Sequence, residues 1–137
     1  MQKTAMLSEQ AAGLFLGRNW GSLVDLRPDG SPHVTPVWVD YDGEHILVNS
    51  AYGRCKVDNI QRDPRVAIVV LPANDQQSGY VSVTGTAELV DDGADEHIDK
   101  LAKKYLGVDE YPFRAPGEQR VIIRITPERV DAHGVAE

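Results

Sequence analysis

Residues 21–50 read GSLVDLRPDGSPHVTPVWVDYDGEHILVNS and carry the strongest fold signal of the chain. Three runs with strand character, 21–27, 32–39 and 44–50, are separated by the turn sequences PDGS and DYDG. An Asp-Gly pair between two such runs is a strong signal for a β-hairpin. Turns this short exclude a parallel crossover, which needs roughly a dozen residues or more. We therefore predict an antiparallel meander of three strands.

The rest of the chain adds helices and further strands to this meander. Helices are predicted after the N-cap Ser8, over 53–62 and over 91–106, where Gly107 follows as the C-cap. Further strands are predicted over 65–71, 79–90, 121–126 and 130–134, with Pro127 separating the last two. Strand 65–71 has almost no polar residue between its ends and is expected at the centre of the sheet, while Gly85 predicts a bulge.

These elements predict a mainly β (α+β) fold, with six or seven antiparallel strands closing into a small barrel and flanked by helices. The chain has 137 residues, 42% of them apolar, which suits one domain spanning residues 1–137. We detect no internal repeat.

The charge balance limits the classes of partner. There are 14 Lys and Arg against 21 Asp and Glu, giving a formal net charge of −7. A nucleic-acid partner is not expected, because binding a polyanion needs a basic face. The single cysteine cannot form an intramolecular disulfide, and no apolar run approaches the roughly 20 residues that span a bilayer. We expect a cytoplasmic protein with no membrane role.

One short segment reverses this acidic character. The residues NSAYGRCK at positions 49–56 end a predicted strand and begin a predicted helix. A helix N-terminus presents unpaired N–H groups and the positive end of a dipole, and here it also carries Arg54 and Lys56. Two cations in a first turn oppose the dipole unless an anion lies between them. The segment thus predicts a phosphate site, with a solvated basic turn as the alternative.

Side-chain catalysis is not indicated by the sequence. Cys55 lies between the two cations, an environment that lowers a thiol pKa, yet no partner base can be assigned to it and single cysteines are more often buried apolar groups. The four histidines show no spacing typical of a metal site. We therefore predict neither a catalytic nucleophile nor a metal ion.

A second unusual feature is a proline within a predicted strand. Pro36 precedes Val37 and Trp38, and a proline cannot donate to a β-ladder, so this segment is expected at an edge or bulge. Its free backbone groups could recognise the polar edge of a flat ring. The alternative, an edge strand with a core tryptophan, is favoured by the pattern alone.

The order of several segments carries a family resemblance. These are RPDGSP at 27–32, PVW at 36–38, NSAYGRCK at 49–56 with Asn59 three residues on, RDPRV at 62–66, the pair Gly85 and Ala87, and the later KYLG and YPFR segments. Together they resemble the split β-barrel family of pyridoxamine phosphate oxidase-like flavin and deazaflavin oxidoreductases. Within that family the chain looks most like the branch that uses the deazaflavin coenzyme F420.

This resemblance implies a homodimer with two cofactor sites at the subunit interface. It implies that Arg54 and Lys56 hold the cofactor phosphate, with Asn49, Ser50, Cys55 and Asn59 nearby. It further implies that the ring lies along Pro36, Val37 and Trp38, and that Tyr80 and the loop 74–79 reach in from the second subunit.

The chemistry implied by the resemblance is hydride transfer from the reduced cofactor to a small acceptor with a conjugated, electron-poor double bond or ring system. Two alternatives stay open. One is an FMN-dependent oxidoreductase of the same fold, and the other is a non-catalytic protein that binds or carries the cofactor.

Overall fold

The computed structural model describes residues 5–74 and 79–135. Within them the elements follow in the order α1 (Glu9–Leu16), β1 (Trp20–Leu26), β2 (Pro32–Trp38), β3 (Asp40–Tyr41), β4 (Ile46–Ala51), α2 (Cys55–Arg62), β5 (Arg65–Val70), β6 (Tyr80–Val90), α3 (Ala94–Leu106) and β7 (Arg120–His133). The strands form one antiparallel seven-stranded sheet in the order β2-β1-β5-β6-β7-β4-β3.

The first predicted hairpin is confirmed. β1 pairs with β2 from Trp20 opposite Trp38 to Leu26 opposite Pro32. In its turn Asp29 accepts hydrogen bonds from the N–H and hydroxyl of Ser31, at 2.9 and 2.6 Å. β2 lies at one end of the sheet order, beside β1, which is the edge position that Pro36 predicts.

The second hairpin differs from the prediction. The run 44–50 does not pair with 32–39; instead β4 pairs with β7 and with the short β3. Asp40 and Tyr41, expected in a turn, form β3, and the turn lies at 42–45, where Asp42 accepts the N–H groups of Glu44 and His45. The prediction failed because the chain leaves the first ladder at Val39.

The second half of the sheet contains the predicted central strand and bulge. β5 lies between β1 and β6, and the ladder of β6 and β7 shifts register between Thr84 and Gly85. The two strands predicted over 121–126 and 130–134 are one strand, β7. It continues through Pro127 because this residue lies at the bulge, where a missing N–H is tolerated.

The helices form where they are predicted, and α2 and α3 start later than predicted. Ser8 caps α1 by accepting the N–H of Ala11 at 3.1 Å. α2 starts at Cys55 rather than at 53, because Gly53 has a φ of 94° that no helix contains. α3 starts at Ala94 rather than at 91 after a left-handed Gly93, and Gly107 ends it as expected.

The sheet curls around one core and leaves a second, smaller cluster outside. Its two end strands, β2 and β3, are separated in the chain by Val39 alone, so the sheet turns back on itself as a split β-barrel. Phe15, Leu23, Ile68 and other fully buried side chains fill the inside. Outside, α3 contributes an apolar cluster against Trp38 and Tyr111. The fold is mainly β, as predicted.

Candidate functional site

A cleft of about 280 Å³ lies between the edge strand β2, the end of β4, the start of α2 and the outer cluster of α3. Six of the ten predicted site residues line it: Pro36, Val37, Trp38, Asn49, Arg54 and Lys56. Its other lining residues, which the sequence did not indicate, are Trp20, Ile98, Leu101, Tyr111, Phe113 and Arg120. The cleft therefore joins the two features that the sequence singled out separately.

One half of the cleft is aromatic. The Trp38 ring stacks on Tyr105 with a centroid separation of 5.1 Å and an angle of 4° between the planes. Trp20 and Tyr111 meet Trp38 edge-on at 6.2 and 6.1 Å, and Phe113 meets Tyr111 at 5.7 Å. Trp20 and Phe113 remain 57% and 66% exposed. This half presents flat apolar faces to a ligand.

The direction of the β2 backbone follows from one hydrogen-bonded bridge. The N–H of Val39 donates to the Tyr105 hydroxyl at 3.0 Å, and this hydroxyl donates to the C=O of Asn19 at 2.5 Å. The β1–β2 ladder ends with Trp20 opposite Trp38, so the next pair along would be Asn19 opposite Val39. The backbone groups of Asn19 and Val39 therefore point toward each other, with the Tyr105 hydroxyl between them. Alternate residues of a strand point their backbone groups to opposite sides. The N–H and C=O of Trp38 therefore face the open edge of the sheet.

The Tyr105 hydroxyl fills this bridging position as a protonated group. Burial raises its pKa to about 12. At neutral pH the hydroxyl can therefore accept one hydrogen bond and donate another, which the bridge requires.

The other half of the cleft is basic. Arg120 is 5% exposed. Its Nη1 forms an ion pair with Oε1 of Glu118 at 3.1 Å, but this contact does not have the geometry of a hydrogen bond. Arg54 reaches the same carboxylate at 3.9 Å. Burial lowers the pKa of Lys56, and Arg54 and Arg120 lower it further by repulsion. Three cations so close together favour an anion between them.

The start of α2 adds backbone donors to these cations. Arg54 is the N-cap residue and its side chain makes no capping hydrogen bond. The first N–H groups of a helix have no intrahelical acceptor, and the dipole adds positive potential there. The conflict that the sequence predicted, cations in a first turn, is present in the structure, with the side chains of Arg54 and Lys56 in the cleft.

A buried polar chain fixes the orientation of Asn49. Its amide nitrogen donates to the C=O of Ala94 at 2.9 Å and to Nδ1 of His97 at 3.1 Å, while its oxygen accepts Nε–H of Arg120 at 3.0 Å. Since Nδ1 of His97 accepts, its proton is on Nε2, which lies 3.1 Å from Asp40. Asp40 thus holds Arg120 in place through His97 and Asn49.

The Asp40 carboxylate is kept ionised by its surroundings. Burial raises its pKa, but hydrogen bonds from His97, the Tyr41 backbone and Lys100 outweigh this and hold the pKa at about 2. The acceptor end of the polar chain is therefore charged at neutral pH.

Four predicted site residues do not line the cleft. Ser50 is buried on β4, and its hydroxyl has no hydrogen-bond partner in the described part of the chain. Cys55 is exposed, while Asn59 is buried and donates to Asp25 at 2.7 Å. Tyr80 stacks on His133 at 5.8 Å. Their binding roles stay predictions, and residues 75–78 of the predicted partner loop lie outside the described residues.

Of the cleft residues that the sequence did not indicate, some have a local sequence signal and others have none. The segment 108–119 is too aromatic for a simple linker, and Tyr111 and Phe113 come from it. Arg120 gives no local signal. It enters the site because β4 pairs with β7, which sets Ala51 opposite Arg120, and this pairing joins segments nearly 70 residues apart.

Neither a metal cluster nor a membrane span is present among residues 5–74 and 79–135. These residues hold no group of three or more His, Cys, Asp or Glu side chains placed to bind a metal ion. No helix among them has the length and apolar character needed to cross a bilayer.

The fold and the cleft define a split β-barrel protein whose site suits a planar ring joined to an anionic group. A family model described as pyridoxamine 5'-phosphate oxidase matches residues 7–134. The chain therefore belongs to the pyridoxamine 5'-phosphate oxidase-like family.

Solved structures agree with this assignment. One described as an F420 reductase is 30% identical, with a TM-score of 0.78 over 91% of this chain and 98% of that one. A conserved hypothetical protein from Mycobacterium tuberculosis is 26% identical, with a TM-score of 0.70 over 96% and 88%. General Stress Protein 26 from Bacillus anthracis, 21% identical with a TM-score of 0.66 over 90% and 91%, shares the fold.

The cleft fits a flavin-type cofactor on two observations. Nη1 of Arg120 and Nε1 of Trp38 are buried donors that make no hydrogen bond within the described residues. Both belong to residues that line the cleft, one in each half. Buried donors normally have acceptors, and a cofactor with a polar ring edge and a phosphate would supply acceptors to both halves.

Proposed function

We propose that this protein is an F420-dependent oxidoreductase that reduces a small, conjugated, electron-poor acceptor. Coenzyme F420, when bound, supplies the hydride. The proposal is supported by the F420 reductase that is 30% identical over 91% of this chain. FMN is the alternative cofactor. The matching family is described as pyridoxamine 5'-phosphate oxidase, and proteins of this family bind flavins such as FMN.

The single observation that carries the proposal is the joining of a basic and an aromatic half in one cleft. In the basic half, Arg54, Lys56 and Arg120 would hold the phosphate, together with the first N–H groups of α2. In the aromatic half, the ring would lie along Pro36 to Trp38. There the N–H and C=O of Trp38 face the open sheet edge and can bond a polar ring edge.

The chain's own residues would bind, orient and exclude water rather than react. The cleft lining contains no carboxylate, histidine, serine or cysteine in the described part of the chain. Such a lining suits chemistry that the cofactor supplies, since the protein then needs only to position the ring and the acceptor. The exposed faces of Trp20 and Phe113 leave room for a flat acceptor beside the ring.

We further propose that the functional unit is a homodimer in which Tyr80 contributes to the partner's cofactor site. The cleft is open on the side of Trp20 and Phe113, and Tyr80 is 40% exposed. A second subunit would cover such a cleft and exclude water from it.

A turnover assay with reduced coenzyme F420 and an enone or quinone acceptor tests this function. We expect the cofactor to be oxidised over many turnovers per protein chain. The double variant Arg54→Ala/Lys56→Ala should lose most of this rate at limiting cofactor. The control Lys103→Ala/Arg129→Ala, which removes two exposed cations outside the cleft, should keep it. Oxidation that stops after one equivalent would instead indicate a carrier.

A further inference from the structure

Glu118 places a carboxylate against two of the cations that line the basic half of the cleft, although Glu118 itself is not a lining residue. Its side chain is 9% exposed, and Oε1 lies 3.1 Å from Nη1 of Arg120 and 3.9 Å from Nη2 of Arg54. Its other oxygen is buried and has no hydrogen-bond partner among residues 5–74 and 79–135. Glu118 therefore lies directly beside the cations that are proposed to hold the phosphate, without a full set of hydrogen bonds of its own.

This carboxylate reduces the positive charge that a ligand meets. Arg54, Lys56 and Arg120 carry three charges, and Glu118 cancels one of them. Asp25 also acts on Lys56, raising its pKa, but its hydrogen bonds are to His33 and Asn59, which do not line the cleft. A site built to attract as much negative charge as possible would not bury a carboxylate behind two of its cations.

We infer that Glu118 determines which phosphate the cleft accepts, favouring a diester with one negative charge over a terminal monoester. This rests on the proposed function, because the phosphate of coenzyme F420 is a diester whereas that of FMN is a monoester. A monoester carries close to two charges at neutral pH. The repulsion by a nearby carboxylate doubles when the ligand charge doubles, so Glu118 penalises the monoester more.

The test compares ligand affinities of the wild type, Glu118→Gln and Glu118→Asp. Binding of FMN, riboflavin and coenzyme F420 is titrated at pH 8 by fluorescence. Riboflavin has the FMN ring without the phosphate, so the ratio of FMN to riboflavin affinity isolates the phosphate contribution. The matched control is Glu110→Gln, which removes one exposed carboxylate from the same segment.

We expect Glu118→Gln to raise the ratio of FMN to riboflavin affinity about tenfold, the change for a doubly charged phosphate roughly 6 Å from the removed carboxylate at the dielectric constant of water. The affinity for coenzyme F420 should rise about threefold at most. Glu118→Asp keeps the charge and should keep the wild-type ratio, as should Glu110→Gln.

An unchanged FMN ratio in Glu118→Gln would overturn the inference, as would an equal gain for FMN and coenzyme F420. These outcomes are separable from failure of the proposed function. If the wild type does not bind coenzyme F420 but the FMN ratio still rises, the function is wrong and the electrostatic role of Glu118 holds. If coenzyme F420 binds tightly and the ratio of FMN to riboflavin affinity does not rise in Glu118→Gln, the proposed function holds and the role of Glu118 is wrong.

Discussion

Arg120 is a buried cation that reaches the cleft from β7 and is held there by two side chains. Asn49 accepts its Nε–H at 3.0 Å, and the Tyr111 ring centroid lies 5.0 Å from the guanidinium carbon. Its position is therefore set before any ligand binds. A donor fixed in this way loses little entropy when it binds a phosphate, so its contribution to affinity is large.

We predict that Arg120→Met weakens binding of a phosphate-bearing cofactor by tenfold or more, since a hydrogen bond to a charged group contributes about 1.5–3 kcal/mol. Affinity for riboflavin, which has no phosphate, should change much less. The control Arg124→Met removes an exposed cation of the same strand, β7, which pairs with Glu88 of β6, and this variant should bind the cofactor normally. Fluorescence titration measures the affinity of each variant for the phosphate-bearing cofactor and for riboflavin. Urea unfolding confirms that both variants are folded. Equal loss for riboflavin would contradict the assignment.

Asp40 predicts a pH-dependent stability. Its pKa is about 2 in the folded protein against 3.8 in the unfolded chain. A carboxyl with a lowered folded pKa stabilises the fold above the unfolded pKa, and this stabilisation disappears as the pH falls through the folded pKa. Asp40→Asn should therefore lower the free energy of unfolding by about 2 kcal/mol at pH 7. The difference in the free energy of unfolding between Asp40→Asn and the wild type should become smaller as the pH falls from about 4 to about 2.

Urea unfolding at several pH values measures this gap. Asp109→Asn is the control, because that carboxylate is 91% exposed and pairs with the exposed Lys103; it should cost under about 0.5 kcal/mol. A gap for Asp40→Asn that stays constant down to pH 3 would refute the assigned role of Asp40.

At this scale the sequence predicted residues with local signals and missed those without. Arg54 and Lys56 could be predicted because two cations at a helix start contradict the helix dipole. Pro36 could be assigned to an edge because it lacks an N–H. Arg120 could not be assigned to the cleft, because only the pairing of β4 with β7 places it there, and Glu118 could not be assigned a role because it contacts the cleft through Arg120 and Arg54.

Among the elements, the ladder of β6 and β7 depends on one glycine. A Cβ built on Gly85 would lie 2.1 Å from the backbone oxygen of Thr126. The register shift at this point lets β7 continue past Pro127, so the two strands approach too closely for a side chain.

We predict that Gly85→Ala lowers the free energy of unfolding by about 2–4 kcal/mol, because the backbone must move to admit the methyl group. Gly13→Ala is the matched control. Gly13 lies in α1, and a methyl group added there would meet no neighbouring side chain within 4 Å, so alanine should stabilise by up to about 1 kcal/mol. Thermal or urea unfolding distinguishes them. Equal stabilities of the two variants would show that the bulge is not tight.

Local elements could be predicted because their signals are short-range, and the errors arose where tertiary contacts decide. The hairpin of β1 and β2 follows from its Asp-Gly turn. The predicted meander failed at Val39, where the hydroxyl of Tyr105 replaces the next ladder bond. That hydroxyl comes from α3, a helix far along the chain, and no pattern near residue 39 indicates it.

Across the whole molecule, the charges that sum to −7 are unevenly distributed. The acidic excess lies mainly elsewhere, while Arg54, Lys56 and Arg120 line one cleft. A basic pocket on an acidic protein attracts a small anion at one place rather than a polyanion along a face. This arrangement supports a cofactor as the ligand.

The proposed homodimer predicts a mass twice that of one chain in sedimentation equilibrium, with or without cofactor. Tyr80→Ala should weaken cofactor binding severalfold while the free energy of unfolding changes little, because Tyr80 is 40% exposed and its ring contact is with His133, at the end of β7. A protein that is monomeric in sedimentation and still binds the cofactor, with the same affinity in Tyr80→Ala as in the wild type, would exclude a site shared between subunits.

The most direct test of the central claim is a fluorescence titration of the purified wild-type protein with coenzyme F420 and, separately, with FMN. We expect saturable binding of coenzyme F420 at one site per chain, at least tenfold tighter than FMN. Tight FMN binding with no measurable affinity for coenzyme F420 would contradict the proposed function.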